Sequence, residues 1–558
     1  MMNKPLAVAV AAAACLAAPL RAQTLDELKA DGTNTDNVLT YGLGYAQNRY
    51  SKLDQVNKRN VRKLVPVWST SLENDFGEQA QPMVYNGVMY ISDAKWTVAI
   101  DALSGKQLWR TPTDFDPETP RVVCCGVSNK GVALYDGKVF RGTLDAFIVA
   151  LDQKTGKELW KTKVADWKEG YSITSAPTIA NGVLITGMSG AEFGVRGFID
   201  GYDPATGKQL WRRHTTAAPG EKGGDTWTLE GAYKNGGGST WITGSYDPEL
   251  DLVYWGTANT GPWNPNYRGG DSLYTASVIA VRPKTGEIVW HYQFTPNDMY
   301  DYDATSEMIL GEIKVDGRAR KVLMQLNRNG FAYVLDRADG KLLAANAYDK
   351  VNWASGVDMA TGRPVETEVA KALRRGESPE LWPSLVGPKN WEHAAFNPKT
   401  GLLYVNTIYM AATYKLAPLD AYKPGGRWVG VQDIKFTNEP NVPRGFIKAI
   451  DPMTGKSKWE VPLNDHANWS SMLATGSGLL FTGRHTGEFQ ALDADDGRLL
   501  WQFQTSSGIN ANPITWTAKG KQYVTVLSGY GGLGKRWVGD AGKNVPQGGS
   551  VWTFALPE

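Results

Sequence analysis

Residues 150–160 read Ala150-Leu151-Asp152-Gln153-Lys154-Thr155-Gly156-Lys157-Glu158-Leu159-Trp160. An aliphatic strand runs into a polar turn, Gly156 supplies the positive φ that closes a hairpin, and the next strand carries a tryptophan. The same phrase ends at Trp109 and, with Tyr202-Asp203 to Trp211, a third time, so three tryptophans stand 51 residues apart. A fourth copy, Ala280-Val281-Arg282 to Trp290, has Arg in place of Asp; later copies end at Trp459 and Trp501. Weaker ones run from Val334-Leu335-Asp336 to Leu343, without the tryptophan, and from Ala395 through Asn397-Pro398 to Tyr404. Val65-Pro66-Val67-Trp68 looks like an isolated blade end. A repeat of this size holds four short strands, and such a unit buries its faces only against its neighbours. About eight units can be counted, so the expected fold is all-β: an eight-bladed propeller with tryptophans packed between blades. The strand Val551-Trp552-Thr553-Phe554 is expected to close the ring with N-terminal sequence. Two stretches break the rhythm, Thr216 to Gly238 and Ala354 to Asn390, and read as surface insertions.

The rest of the composition agrees. Among 558 residues there are 61 Gly, 24 Tyr and 21 Trp, which suits strands and tight turns rather than helical bundles. Basic and acidic residues balance at 59 and 57, so net charge gives no support to a nucleic-acid partner. The N-terminus reads as a secretory signal: Lys4, an apolar run from Leu6 to Leu20, then Arg21-Ala22-Gln23. The run is too short for a membrane span, and no other stretch is long and apolar enough. Residues 1–22 are therefore expected to be cleaved, leaving 23–558 as one propeller domain in the periplasm. Cys15 as a lipid attachment point is disfavoured by the Ala12-Ala13-Ala14 that precedes it. Cleavage leaves only Cys124 and Cys125. Adjacent thiols in an oxidising compartment either close a strained eight-membered ring or stay reduced and buried.

The repeat resembles the tryptophan-docking motif of the PQQ-dependent (quinoprotein) alcohol dehydrogenases, and the resemblance covers essentially the whole chain after the leader. In that family an adjacent-cysteine disulfide lies over the PQQ rings, a role that falls on Cys124 and Cys125. Trp241, after Gly236-Gly237-Gly238-Ser239-Thr240, matches the tryptophan on which the cofactor stacks, with Ser239 among its contacts. Ser189, Gly190 and Ala191 match cofactor-binding positions, as do Thr143, Arg328 and Trp469. Glu192 and Asn259 match metal ligands. Asp301, in Asp298-Met299-Tyr300-Asp301-Tyr302-Asp303, matches the catalytic carboxylate and a third metal contact. Asp303 stands where the lanthanide-dependent branch carries Asp and calcium-dependent members a small or uncharged residue. In an extended segment the carboxylates of Asp301 and Asp303 would face one way. Oxygen ligands suit a hard cation, lanthanide ahead of calcium, and the five histidines give no zinc spacing.

Four positions depart from the family pattern. Its cofactor-binding Glu is Gln79 here, with Glu78 one step away. Its Arg after the cysteines is Lys130, which keeps charge but loses the bidentate fork. A family Asn corresponds to Ile408 and a pocket Trp to Leu533, which would widen the substrate pocket. No Cys-x-x-Cys-His occurs, so no haem c is attached to this sequence. The resemblance implies a small alcohol substrate and a soluble cytochrome c as acceptor, and leaves a homodimer open. Two other readings stand beside it: a non-catalytic propeller scaffold of the cell envelope, and a quinoprotein acting on sugars or polyols.

Overall fold

The structure is a computed structural model, and it describes residues 23–124, 126–531 and 538–558. The leader, Cys125 and Leu533 lie outside the described residues. Eight four-stranded antiparallel blades follow one another along the chain, the first seven with those four strands in sequence order. The first seven blades span residues 83–112, 133–163, 178–214, 245–293, 309–347, 395–463 and 473–504. The eighth takes three strands from residues 514–555 and its outermost strand from Val65–Ser71. That strand pairs antiparallel with Ser550–Ala555, so the N-terminal sequence closes the ring as expected. Tyr50–Ser51 adds a short parallel strand to the inner edge of the seventh blade.

The repeated phrase is one inter-blade joint, made over and over. In the usual form the indole lies on the glycine of the next blade's turn and donates its N–H to a carbonyl beside it; Trp290 lies on Gly340 in the same way but makes no such hydrogen bond. Trp109 donates to Gln153, Trp160 to Pro204 and Trp211 to Pro283, at 3.2, 3.3 and 2.9 Å. A Cβ on Gly156 or Gly207 would stand 2.5 or 2.6 Å from the facing tryptophan ring, so no larger residue fits. Trp68 donates to Ala102, and Trp501 to Leu64, which carries the joint across the closure. The degenerate fifth blade keeps the joint by other means. Gly455 of the next blade packs on the Ala347 carbonyl, and Asn346 Nδ2 donates to the Met453 carbonyl at 2.8 Å in place of an indole.

Strand alternation decides where function can sit. In a four-stranded blade the turn between strands three and four lies at one end. The turn between strands two and three and the link to the next blade lie at the other. The docking turns occupy the first end. Thr143, Ser189 to Glu192, Asn259 and Arg328 are all in two–three turns. Gln79, Lys130, Trp241, Asp301, Asp303 and Trp469 all precede first strands. The matched residues therefore share one face of the ring.

The interruptions are partly as expected. Residues 354–390 hold a hairpin, Ala354–Asp358 with Arg363–Glu366, and a helix Glu368–Arg374. A third insertion was not legible in the sequence: the hairpin Ala411–Leu416 with Val431–Thr437, within the sixth blade. Nor is Thr216 to Gly238 wholly superficial, because Gly236 to Gly238 lie inside the site. Among the described residues no helix is long and apolar enough to cross a membrane.

Candidate active site

Glycine lets three backbones touch. Gly237 N–H donates to the Val195 carbonyl at 3.0 Å and its carbonyl accepts from Gly197 N–H at 2.8 Å. On the other side Gly238 N–H donates to the Asn259 carbonyl at 2.9 Å, and Gly261 N–H to the Gly236 carbonyl at 2.8 Å. A Cβ on Gly237 would lie 2.6 Å from Gly261 N and 2.8 Å from Asn259 O. The glycine run thus stitches the Glu192 turn to the Asn259 turn and delivers Trp241 between them.

The acidic segment arrives from the fourth-to-fifth blade link. It is not extended: Asp301 has φ +65, a left-handed value that costs a non-glycine residue about 1 kcal/mol or more. The two carboxylates converge through Arg328 instead. Its guanidinium lies 2.9 Å from Asp303 Oδ2 and 3.5 Å from Asp301 Oδ1, and donates to the Asp301 carbonyl at 2.9 Å. Asp303 also accepts from Trp241 Nε1 at 3.0 Å and from Asn259 N–H at 2.6 Å. Asp301, Asp303, Asn259 and Arg328 are buried and Trp241 and Glu192 partly so, and the proton affinities follow. Burial, then the Asp303 charge, raises the Glu192 carboxyl above its usual range. Burial raises Asp301 far above its own, against Arg328 and with Asp303 and Glu192 adding to the rise. Burial opposes charge on Arg328, but Asp303 and Asp301 outweigh it and hold the guanidinium protonated.

The donor set fits a hard cation. Asn259 Oδ1 is buried with no hydrogen-bond partner, and Asp301 Oδ1 accepts no hydrogen bond either. Three carboxylates face one guanidinium, and every free donor atom is oxygen. Among the described residues no three acidic, histidine or cysteine side chains are gathered into a cage; Arg328 bridges two of the acids instead.

Beside this cluster stand side chains suited to a flat anion. Lys130 is buried with its ammonium 5.2 Å from the Trp241 ring centroid. Burial alone pushes it down to about 7, with no carboxylate compensating. Gln79 is buried and its amide has no hydrogen-bond partner among the described residues. Glu78 is only half committed, because its Oε2 is buried with no hydrogen-bond partner among the described residues. Its Oε1 accepts from Asn74 Nδ2 at 2.6 Å, and Asn74 also binds Asp93 at 2.8 Å. Gln79 and the Glu78 Oε2 atom are thus both left without a hydrogen-bond partner among the described residues. Thr143 donates to Asp145, and the Ser189 hydroxyl pairs with Thr174 at 2.9 Å. Gly190, at φ +127, and Ala191 form the turn into Glu192, while the Ser239 carbonyl accepts from Ala258 N–H at 2.7 Å.

The apolar wall is larger than the sequence suggested. Trp469, Trp391, Ile408, Ile242, Val386 and Met410 form one buried cluster that touches Trp241. Trp391 lies 6.3 Å from Trp469 between ring centroids. Ile408 thus serves this wall. Sequence reasoning missed Trp391, whose signal was its place at the end of the Ala354–Asn390 insertion. It also missed the 417–430 strap. From that strap Trp428 N–H donates to the Glu192 carbonyl at 2.7 Å, and Val429 accepts from Trp263 N–H at 2.8 Å.

Comparison with known proteins agrees with this geometry. The family description "PQQ: Glucose/ethanol/alcohol dehydrogenase, beta-propeller domain" matches residues 39–355 and 374–524. The quinohemoprotein alcohol dehydrogenase ADH IIB of Pseudomonas putida is 42% identical, over 98% of this chain and 81% of its own length. The quinoprotein alcohol dehydrogenase PedH of Pseudomonas putida is 41% identical, over 96% of this chain and 93% of its own. A solved europium-containing methanol dehydrogenase superposes with TM-score 0.89 at 35% identity, covering 95% of this chain and all of that one. With eight docked blades, one polar face and matches over nearly its whole length, the chain belongs to the PQQ-dependent alcohol dehydrogenase family.

Proposed function

We propose that the protein is an exported enzyme that oxidises primary alcohols to aldehydes and passes the electrons to a separate soluble cytochrome c. Residues 1–22 act as the cleaved leader, and 23–558 work as one periplasmic propeller domain. The observation that carries the reading is the Asp301–Arg328–Asp303 cluster beside Asn259 Oδ1, a buried acceptor without a donor. Bound PQQ supplies a two-electron acceptor, and a cation held by Glu192, Asn259, Asp301 and Asp303 supplies Lewis acidity. Asp303 adds a negative charge that favours a trivalent lanthanide over calcium.

Asp301 takes the hydroxyl proton of the alcohol. Its Oδ1 accepts no hydrogen bond and lies 3.5 Å from the Arg328 guanidinium, which leaves it the carboxylate oxygen available to receive that proton. Arg328 stays cationic and stabilises negative charge developing nearby. Trp241 gives a flat floor, and Cys124 with Cys125, joined as a vicinal disulfide, a stiff roof. Lys130 and Gln79 meet the carboxylates of the cofactor, with Thr143, Ser189, Gly190, Ala191, Ser239 and Trp469 completing its surroundings. A non-catalytic scaffold has no use for an uncompensated buried lysine and a strained aspartate on the same face.

The test is reconstitution with PQQ and either lanthanum or calcium, followed by dye reduction with a panel of alcohols. Turnover of primary alcohols, faster with lanthanum, is expected; no turnover with any metal or alcohol overturns the reading. Equal rates with both ions would remove the role given to Asp303. Mass measurement of secreted protein checks cleavage near Ala22 and the loss of two hydrogens at Cys124–Cys125. Reduction of a soluble cytochrome c checks the acceptor.

A further inference from the structure

We infer that the buried ion pair Glu307–Lys389 is the positioning device that fixes where Asp301 and Asp303 stand. The inference rests on the reading of those two residues given above. The segment from Asp301 to Glu307 has no regular hydrogen-bonded structure and joins a strand only at Ile309. Its middle is pinned by Ala304 N–H on the Thr257 carbonyl at 3.1 Å and by Gln325 Nε2 on the Ala304 and Ser306 carbonyls at 2.9 and 2.8 Å, and one loop, residues 383–394, grips it at both ends. At the near end Tyr302 Oη donates to the Pro383 carbonyl at 2.6 Å. At the far end Glu307 Oε2 accepts from Lys389 Nζ at 2.6 Å and Oε1 accepts from Ala394 N–H at 2.8 Å. Ser306 Oγ adds a contact to the Asn390 carbonyl at 3.3 Å.

The pair is sealed from water, with side-chain exposures of 0% for Lys389 and 2% for Glu307. Burying two charges costs about as much as their attraction returns, so an apolar pair of like volume would fold as well or better. What charge adds here is a fixed direction. The same loop carries Trp391 into the wall beside Trp241, so one bridge sets the acid segment and the apolar wall in register. A catalytic carboxylate displaced by about 1 Å loses about a hundredfold in rate. Lys389 and Glu307 are therefore positioning residues, acting through Asp301 and Asp303.

The experiment compares wild type, the apolar double variant Glu307→Met/Lys389→Met and the single variant Glu307→Gln, all loaded with PQQ. Four quantities are read: the midpoint of thermal unfolding, terbium affinity from tryptophan-sensitised luminescence, and kcat and KM with lanthanum. The double variant leaves Ala394 N–H without its acceptor, so its unfolding midpoint is expected to fall modestly with the fold kept, while terbium affinity falls about tenfold and kcat about ten- to a hundredfold, with KM changed less than about threefold. Glu307→Gln keeps an acceptor for Ala394 N–H and loses the charge; it is expected to fold and to show a smaller loss of the same kind. Should the double variant not fold, Glu307→Gln decides alone: an unchanged kcat and terbium affinity overturns the inference. Folded variants with wild-type terbium affinity and kcat make the pair structural only. If wild type itself neither binds terbium nor oxidises an alcohol, the functional reading fails first, and this one with it.

Discussion

The indole N–H of Trp241 donates to Asp303 Oδ2 at 3.0 Å, so the proposed cofactor floor and a proposed metal ligand are one hydrogen-bonded unit. Trp241→Phe keeps the flat face and removes the donor. Stability is expected to fall by about 1.5–3 kcal/mol, the range for a hydrogen bond to a charged group. PQQ affinity should stay within about threefold, since stacking survives, while turnover drops about tenfold because Asp303 loses one of its anchors. Fluorescence titration and dye reduction separate the two; a parallel loss of PQQ binding would mean the indole acts only as a floor.

Asp303 accepts from Arg328, Trp241 and Asn259 together, so its removal frees a buried guanidinium as well as a ligand. Asp303→Ala is expected to abolish lanthanum-supported turnover while circular dichroism shows the propeller intact. Asp303→Asn keeps an acceptor for Asn259 N–H and should fold more stably than the alanine variant, yet still lose lanthanum-supported turnover. Unchanged lanthanum activity in either protein contradicts the metal role.

Lys130 carries a pH dependence whose sign can be worked out. Its folded value of about 7 lies below the ordinary 10.5, so between those values the unfolded chain holds a proton that the cofactor-free fold does not. This lysine therefore makes the cofactor-free fold gain stability as pH rises from about 7 toward 10. A bound carboxylate reverses the preference, so PQQ binding takes up a proton above pH 7 and weakens by up to about tenfold per unit. Lys130→Arg stays charged throughout and should flatten both slopes. Thermal unfolding and PQQ titration across that range check it; equal slopes in the two proteins would falsify the assignment.

The docking joint predicts stability away from the site. Gly207 has φ +72 and faces the Trp160 ring, 2.6 Å from where a Cβ would be. Gly207→Ala should cost about 2–4 kcal/mol, combining left-handed strain with overpacking. Gly87→Ala, at φ +78 with open space around it, should pay the strain alone and lose about half as much or less. Urea unfolding of both proteins makes the comparison.

The sequence by itself determined the ring. A phrase of strand, glycine turn and tryptophan carries its own local physics: the turn needs positive φ, and the indole needs a flat partner that only glycine leaves room for. Each copy therefore specifies its joint without knowledge of the others, and even the eighth blade's closure follows from an unpaired strand at Val65–Ser71. Site residues that resembled the family were legible for the same reason, as short contiguous phrases. Tertiary structure alone decided how they meet. That Asn74 ties Glu78 Oε1 to Asp93, while Gln79 beside it is not so held, shows only in the fold. That Asp301 and Asp303 converge depends on Arg328 and a left-handed turn, not on an extended segment. Trp391, Trp428 and the Glu307–Lys389 bridge come from insertions that break the repeat. Their contacts span tens to hundreds of residues along the chain, and no local pattern encodes an interaction whose partner is supplied only when the ring closes.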